Sequence, residues 1–368
     1  MKFCSRFKNK KGSVAIVALT MVVLFSMMAS GLGFRGGIEV KLVKRNLDSF
    51  RERYLAQAAV TTVQYLVELD EFPDEDSPAD AWYGEPDWPE NVEFGEGVTR
   101  NVKVTDEESK ININNASEAV LTVLFDLIDE ENDLSTDIDE LVAGIMNWRG
   151  DSAAQGGTKL GEKYKNAPFE SLDELYLIKG IKPEDLPKII PYLSVYGTGA
   201  KNQAIINPNT ASLLVLRAVV LSLVGDEKAK EDIADTLAHY RDLLDSGEES
   251  KDSVISYFTA EDIKTPENIF MKLGMSNIDP VMQSLVAQLS TYLTVDSKFY
   301  NIHVDIKENE SSLGTSAEVI MGIPVPQQPG AAAGTGARLR PRRPSVRTGS
   351  QAGDLAVLNW HDGVFHVS

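Results

Sequence analysis

One junction in the sequence carries chemistry in its residue types and their spacing. Lys10, Lys11 and Gly12 abut a run from Ser13 to Phe34 that holds no charge. A peptide bond after glycine, where a basic stretch meets a membrane-length apolar one, suits a peptidase acting at the cytoplasmic membrane face. The candidate scissile bond is Gly12–Ser13.

No other constellation rises to that level. His239, His303, His361 and His366 are scattered, and the single cysteine, Cys4, lies in the basic start. No nucleophile and base are paired in sequence, so no catalytic residue is assigned, no cofactor is required and the chain reads as a non-enzyme. One cysteine also excludes an intramolecular disulfide. The acidic stretch Asp129–Asp133 offers oxygen ligands of the type calcium takes, without the spacing of an EF-hand loop. Ordinary solvation of a charged surface is the better account of it. Leu172 to Leu193 has helix-hairpin-helix character centred on Gly180, but Glu184 and Asp185 follow where a phosphate-binding turn wants basic residues.

The elements that must position the junction follow from periodicity. Ser13–Phe34 is long enough for a transmembrane helix, and the basic residues that precede it place the N-terminus in the cytoplasm and the body across the membrane. Three fates compete: whole removal as a secretory signal with Ala29-Ser30-Gly31 as the cut, retention as a plain anchor, or cleavage after Gly12. From Ile38 to Leu69, Leu42, Leu47, Phe50, Tyr54, Leu55, Val60, Val63 and Leu66 recur near helical spacing, so one helix is expected to continue to about Asp70.

Beyond it, 72–91 is rich in Pro, Asp, Glu and Trp and reads as an exposed connection onto which Trp82, Tyr83 and Trp88 can pack. Gly97 to Val104 alternates like a strand. Ile111 to about Tyr292 is dominated by helical patterns, with an internal echo: Ile111-Asn112-Ile113-Asn114-Asn115-Ala116-Ser117 returns as Ile206-Asn207-Pro208-Asn209-Thr210-Ala211-Ser212. Two related helical modules are expected, each opened by a helix cap. Asn115 with Glu118 has the spacing of a capping box. Strand character returns at Phe299–Ile306, Ser316–Met321 and Leu355–Trp360, so a sheet is split by a helical insertion. Residues 324–353 are Pro/Gly/Ala-rich, hold five arginines and no acid, and read as a flexible loop.

The chain has 368 residues and a formal charge of -19. The five basic residues of the first twelve make the remainder more acidic still. Broad attraction to nucleic acid is thereby disfavoured.

In order and spacing these features resemble the GspK family, the large minor pseudopilin of type II secretion. The resemblance rests on Gly12 before the apolar run, Tyr54-Leu55-Ala56-Gln57-Ala58-Ala59-Val60, Lys110 through Ser117, Ile145-Met146-Asn147-Trp148-Arg149-Gly150-Asp151, Tyr164 through Phe169, Ser171 through Leu175 and the closing Leu358-Asn359-Trp360. It implies an α+β, type IV pilin-like fold: a long N-terminal helix packed on a small antiparallel sheet, with a large all-helical SAM-like insertion. The implied units are a leader 1–12, a membrane segment 13–34, a periplasmic helix with the first part of the sheet 35–110, the insertion 111–293 and the rest of the sheet 294–368.

The resemblance further implies cleavage by prepilin peptidase between Gly12 and Ser13, N-methylation of Ser13, and a single-pass inner-membrane protein with a periplasmic body. The implied partners are I- and J-type minor pseudopilins, the major pseudopilin and the inner-membrane assembly platform. Family members also bind calcium. Val17 would be mature position five, where most pilins carry a glutamate that pairs with a neighbour's terminal ammonium in the membrane's low dielectric. A subunit with valine there is suited to the first, or tip, position of a filament. Asn147 and Gly150 stand where the family commonly has acids, which weakens any inherited acidic metal site. Two other classes fit parts of the sequence: a minor pilin of a type IV pilus, and a helix-hairpin-helix DNA-binding protein.

Overall fold

The structure is a computed structural model that describes residues 11–86, 98–151, 164–246, 256–275, 279–308, 313–322 and 355–366. The basic start through Lys10, Trp88, Gly97 and the arginine-rich loop lie outside the described residues.

One helix, α1 (Lys11–Glu68), contains no proline and runs unbroken for 58 residues, about 87 Å at 1.5 Å per residue. In its apolar half, Thr20 Oγ1 and Ser26 Oγ donate back to the carbonyls of Val17 and Val22, so these hydroxyls carry their own partners where no water is present. Its C-terminal third packs on a sheet through Ala56, Ala59, Val60, Val63 and Val67, spaced as one helical face and all buried. The two alanines let the helix backbone approach the strands closely.

That sheet is four-stranded and antiparallel, in the order β1 (Val98–Asp106), β4 (Phe299–Glu308), β5 (Leu313–Gly322), β6 (Ala356–His366). Alternate residues Val102, Val104, Ile302, Val304, Ile306, Ala317, Val319 and Met321 face α1, as the period of two requires. Strands β1 and β4 are register partners, Val102 against Val304, although the whole helical domain is threaded between them. The sheet is therefore split by an insertion, and the strands run one to six residues beyond the segments whose alternation marks them.

The insertion has its own core. It holds α2 (Glu118–Asn132), α3 (Ile138–Arg149), the short α4 (Leu186–Ile189), α5 (Leu213–Leu221), α6 (Glu227–Ser246), α7 (Pro266–Lys272) and α8 (Pro280–Leu289), closed around Leu121, Leu124, Phe125, Val215, Val219, Ile233, Phe270 and Val286. It is not all-helical. Strands β2 (Ile111–Asn112) and β3 (Leu193–Ser194) pair in parallel, and Ile206 forms a parallel bridge with Leu293. Two-residue strands carry no periodicity, which is why the sequence reads as helix throughout.

The acid-rich connection is also less exposed than its composition implies. Asp76, Ser77 and Trp82 are buried. Trp82 stands edge-on to Tyr300 at 4.9 Å between ring centres and donates its indole N–H to Asp70 Oδ2 at 2.9 Å.

Candidate assembly interface

The sequence-predicted junction lies at the start of α1: Gly12 and Ser13 are helical, immediately after the first described residue, Lys11. Val17 is on the same helix and exposed. From Val14 to Leu47 every residue is exposed, about 51 Å of helix standing clear of the body. Val14, Ile16, Leu19, Val22, Leu24, Phe25, Met27, Leu32 and Phe34 would each forfeit about 1.5–3 kcal/mol in water relative to burial. An apolar surface of that extent drives association when left in water, so this half of α1 suits lipid or other helices around it. Among the described residues α1 is the helix long and apolar enough to cross a membrane.

Where α1 leaves the body, it is locked to the sheet by polar contacts as well as by packing. Thr315 Oγ1 donates to the buried Glu52 Oε2 at 2.8 Å, Arg53 pairs with Asp362 at 3.0 Å, and Gln64 Nε2 donates to the Leu355 carbonyl at 3.2 Å. The protruding rod is thus clamped to β5 and β6.

The helical domain is held to the sheet by three consecutive acids at the end of β1. Asp106, Glu107 and Glu108 are all buried. Asp106 Oδ2 accepts from Thr210 Oγ1 (2.6 Å), Ser297 Oγ (2.6 Å) and Asn207 Nδ2 (3.2 Å), which ties the second module to the root of β4. Glu107 accepts from Lys110, from Asn301 Nδ2 at 3.2 Å and from Ser194 Oγ, joining β4 to β3. Glu108 accepts from the Thr198 backbone N–H (2.8 Å) and hydroxyl (2.6 Å) and from the Lys298 N–H (2.7 Å).

Nearby, Asp76 Oδ2 accepts from the Ser297 N–H at 2.5 Å. Burial raises the pKa of Asp106, pushes Glu108 up to about 7 and pushes Asp76 up to about 8, with Asp106 adding repulsion to both neighbours. Sequence reading passed over this joint, because acids in a row ordinarily signal solvent.

The echo in the sequence proves to be a structural repeat. In both modules the second asparagine holds the backbone of a phenylalanine, and a serine caps the following helix: Ser117 accepts from the Val120 N–H and Ser212 from the Val215 N–H. The capping-box expectation at Asn115 is thereby corrected. Asn115 Nδ2 instead donates to the carbonyls of Thr198 and Gly199, two residues too early to cap α2.

Of the remaining candidates, Asp129–Asn132 form the last turn of α2, where Asp129 Oδ1 accepts from the Leu134 N–H at 2.6 Å, and Asp133 is the left-handed cap. The carboxylates that do converge are Asp70, Asp76 and Asp80, each offering an oxygen within 4.8 Å of the others, and no sequence spacing marked them. Leu172–Leu193 folds as a six-residue 3-10 helix, a turn at Gly180 and the four-residue α4. A Cβ at Gly180 would lie 3.1 Å from Glu140 Oε2, so a carboxylate stands beside the turn. Gly150 has φ of 77° as the left-handed cap of α3, a conformation that favours glycine. His239 sits on α6, His303 on β4, and His361 and His366 both on β6.

No protein-family model matches the sequence, and no curated protein matches it. Among solved structures the chain is similar to a chain of the GspK-GspI-GspJ complex from the type 2 secretion system of enterotoxigenic Escherichia coli, with a TM-score of 0.51. Identity is 12%, and the match covers 87% of this chain and 97% of that one. The likeness is one of fold.

Proposed function

We propose that this chain is a minor pseudopilin of a type II secretion system that forms, with I- and J-type minor pseudopilins, the tip complex initiating the pseudopilus. The observation that carries the proposal is one combination: about 51 Å of exposed α1, uncharged as far as Phe34, on a helix clamped at its other end to a small antiparallel sheet split by a helical domain. Likeness in fold to a chain of the GspK-GspI-GspJ complex over 87% of this chain supports it.

The parts then divide the work. The apolar half of α1 holds the subunit in the inner membrane and later packs against the corresponding helices of its partners. Its basic N-terminal flank stays in the cytoplasm, where prepilin peptidase cuts after Gly12 and frees the Ser13 ammonium for methylation. Val17 offers that ammonium no carboxylate in its own chain, so the subunit attracts another's glutamate without being drawn beneath a predecessor. The helical domain, joined rigidly through Asp106, Glu107 and Glu108, adds bulk that a helical shaft has no room for and that an open tip accommodates. Assembly requires packing and electrostatics only.

Processing tests this directly. In cells with prepilin peptidase the mature chain is expected to begin at Ser13, while Gly12→Ala stays full length. A wild-type N-terminus near Gly31, or an uncut chain, contradicts the proposal.

A further inference from the structure

An open groove of about 400 Å³ runs between the first helical module and the sheet face turned away from α1. Its floor is apolar, built from Ile190, Pro191, Leu193 and Val195 on one wall and Ile320 on the other. Its rim is acidic. Glu170 and Asp173 approach from the helical side and Glu318 from β5, all exposed. Lys110, which also lines the groove, is occupied by Glu107. The lining contains no arginine, so the groove presents a surplus of negative charge over an apolar base.

The same chain contains a segment of matching chemistry. Residues 323–354 join β5 to β6, and within them Arg338, Arg340, Arg342, Arg343 and Arg347 alternate with Leu339, Pro341, Pro344 and Val346, with no acid before Asp354. Both anchor points adjoin the groove. Ile320 and Asn359 are register partners that line it, two residues before Gly322 and three after Ala356. From Leu355 back to Arg347 an extended chain reaches about 26 Å, and it starts four residues from Asn359, which lines the groove. A tether of this kind supplies an effective concentration in the millimolar range, which compensates for the weakness of exposed ion pairs. Arginine's planar fork suits carboxylates, and the interleaved apolar residues suit the floor.

We propose that this groove is the docking site of the chain's own arginine-rich segment, 338–347, with its arginines on Glu170, Asp173 and Glu318. Docking ties the first helical module to β5 and β6 at a second point, independent of the acid joint at the end of β1. The inference does not depend on the assembly role proposed above.

The test uses the full-length chain in detergent on a Cys4→Ser background. Ser345→Cys is combined with Ser171→Cys in the groove or with Asp232→Cys on α6, and a short bis-maleimide is added. The groove pair is expected to link within one chain at least ten-fold faster than the α6 pair. The advantage should vanish at 0.5 M salt, on replacing the five arginines with glutamine, and in the Glu170→Gln/Asp173→Asn/Glu318→Gln variant. Equal rates for the two pairs, rates unaffected by removing the arginines, or links formed only between chains would overturn the proposal. Should the triple acidic variant fail to melt cooperatively, the arginine variant decides, since its replacements lie outside the packed elements described above.

Discussion

Asn114 and Asn209 occupy the same place in the two halves of the helical domain. Asn114 accepts from the Phe169 N–H at 2.7 Å and donates to its carbonyl at 3.0 Å, while Asn209 accepts from the Phe258 N–H at 2.7 Å and donates to its carbonyl at 2.9 Å. The asparagine two residues earlier repeats as well: Asn112 accepts from the Asn114 N–H and Asn207 from the Asn209 N–H. An arginine from a later helix then closes each turn, Arg149 on the carbonyls of Ile113 and Ala116, Arg241 on those of Pro208 and Asn209. The echoed phrase is thus a device for holding a distant loop against the start of a helix.

Replacing either clamp leaves backbone groups unpaired, at about 1–3 kcal/mol. Asn209→Ala is expected to cost more than Asn114→Ala, because Asn209 is fully buried and also donates to the Asp76 carbonyl at 3.1 Å, whereas Asn114 is half-buried. Chemical denaturation of the folded body checks the order; equal or reversed costs count against the role assigned to Asn209.

The joint has a pH dependence whose sign follows from burial. Asp76 is pushed up to about 8 by loss of solvent, reinforced by Asp106, Asp80 and Asp296, and against it stand only the Ser297 N–H and the Tyr300 hydroxyl, itself oriented to the Ser297 carbonyl. The folded state therefore holds a proton that the unfolded state has released. Its stabilisation is complete below the ordinary carboxylate range and is lost as pH rises through about 8. Glu108, pushed up to about 7, acts in the same direction. The body is expected to melt at a higher temperature at pH 5.5 than at pH 8.5. Asp76→Asn, which mimics the protonated side chain, should flatten that slope. A melting temperature that climbs with pH over this range contradicts the assignment.

How much of this was legible beforehand depended on periodicity. Helical spacing of Leu42, Leu47, Phe50, Tyr54, Leu55, Val60, Val63 and Leu66 marked α1, and alternation marked the split sheet. The buried face of the helix is instead Ala56, Ala59, Val60, Val63 and Val67, of which only Val60 and Val63 are on the expected stripe, while Leu42, Leu47, Phe50 and Tyr54 are exposed. The pairs Ile111–Leu193 and Ile206–Leu293 could not be read from the residues, since each joins positions far apart in sequence and is too short to have a period. Nor could Asp106 and Glu108: an acid is read as solvated until Ser297, Thr210, Thr198 and Lys298 are seen to converge on it. Ser117 took the cap from Asn115 because only a side chain immediately before α2 reaches the Val120 N–H.

Val17 bears on where the subunit sits. Val17→Glu supplies the carboxylate that would let an earlier subunit's ammonium draw this one beneath it, at a cost of up to about 3 kcal/mol for a charge within the membrane. Immunogold labelling of filaments is expected to mark one end only for the wild type and to spread along the shaft for the variant. Wild-type label distributed along the shaft contradicts a tip position.

The central claim is tested most directly by composition. Co-expression of the processed chain with the I- and J-type minor pseudopilins of the same cell, followed by size-exclusion chromatography with light scattering, should yield one complex containing a single copy of each. The chain eluting alone in the presence of both, with protein secretion unchanged when it is deleted, would contradict the account.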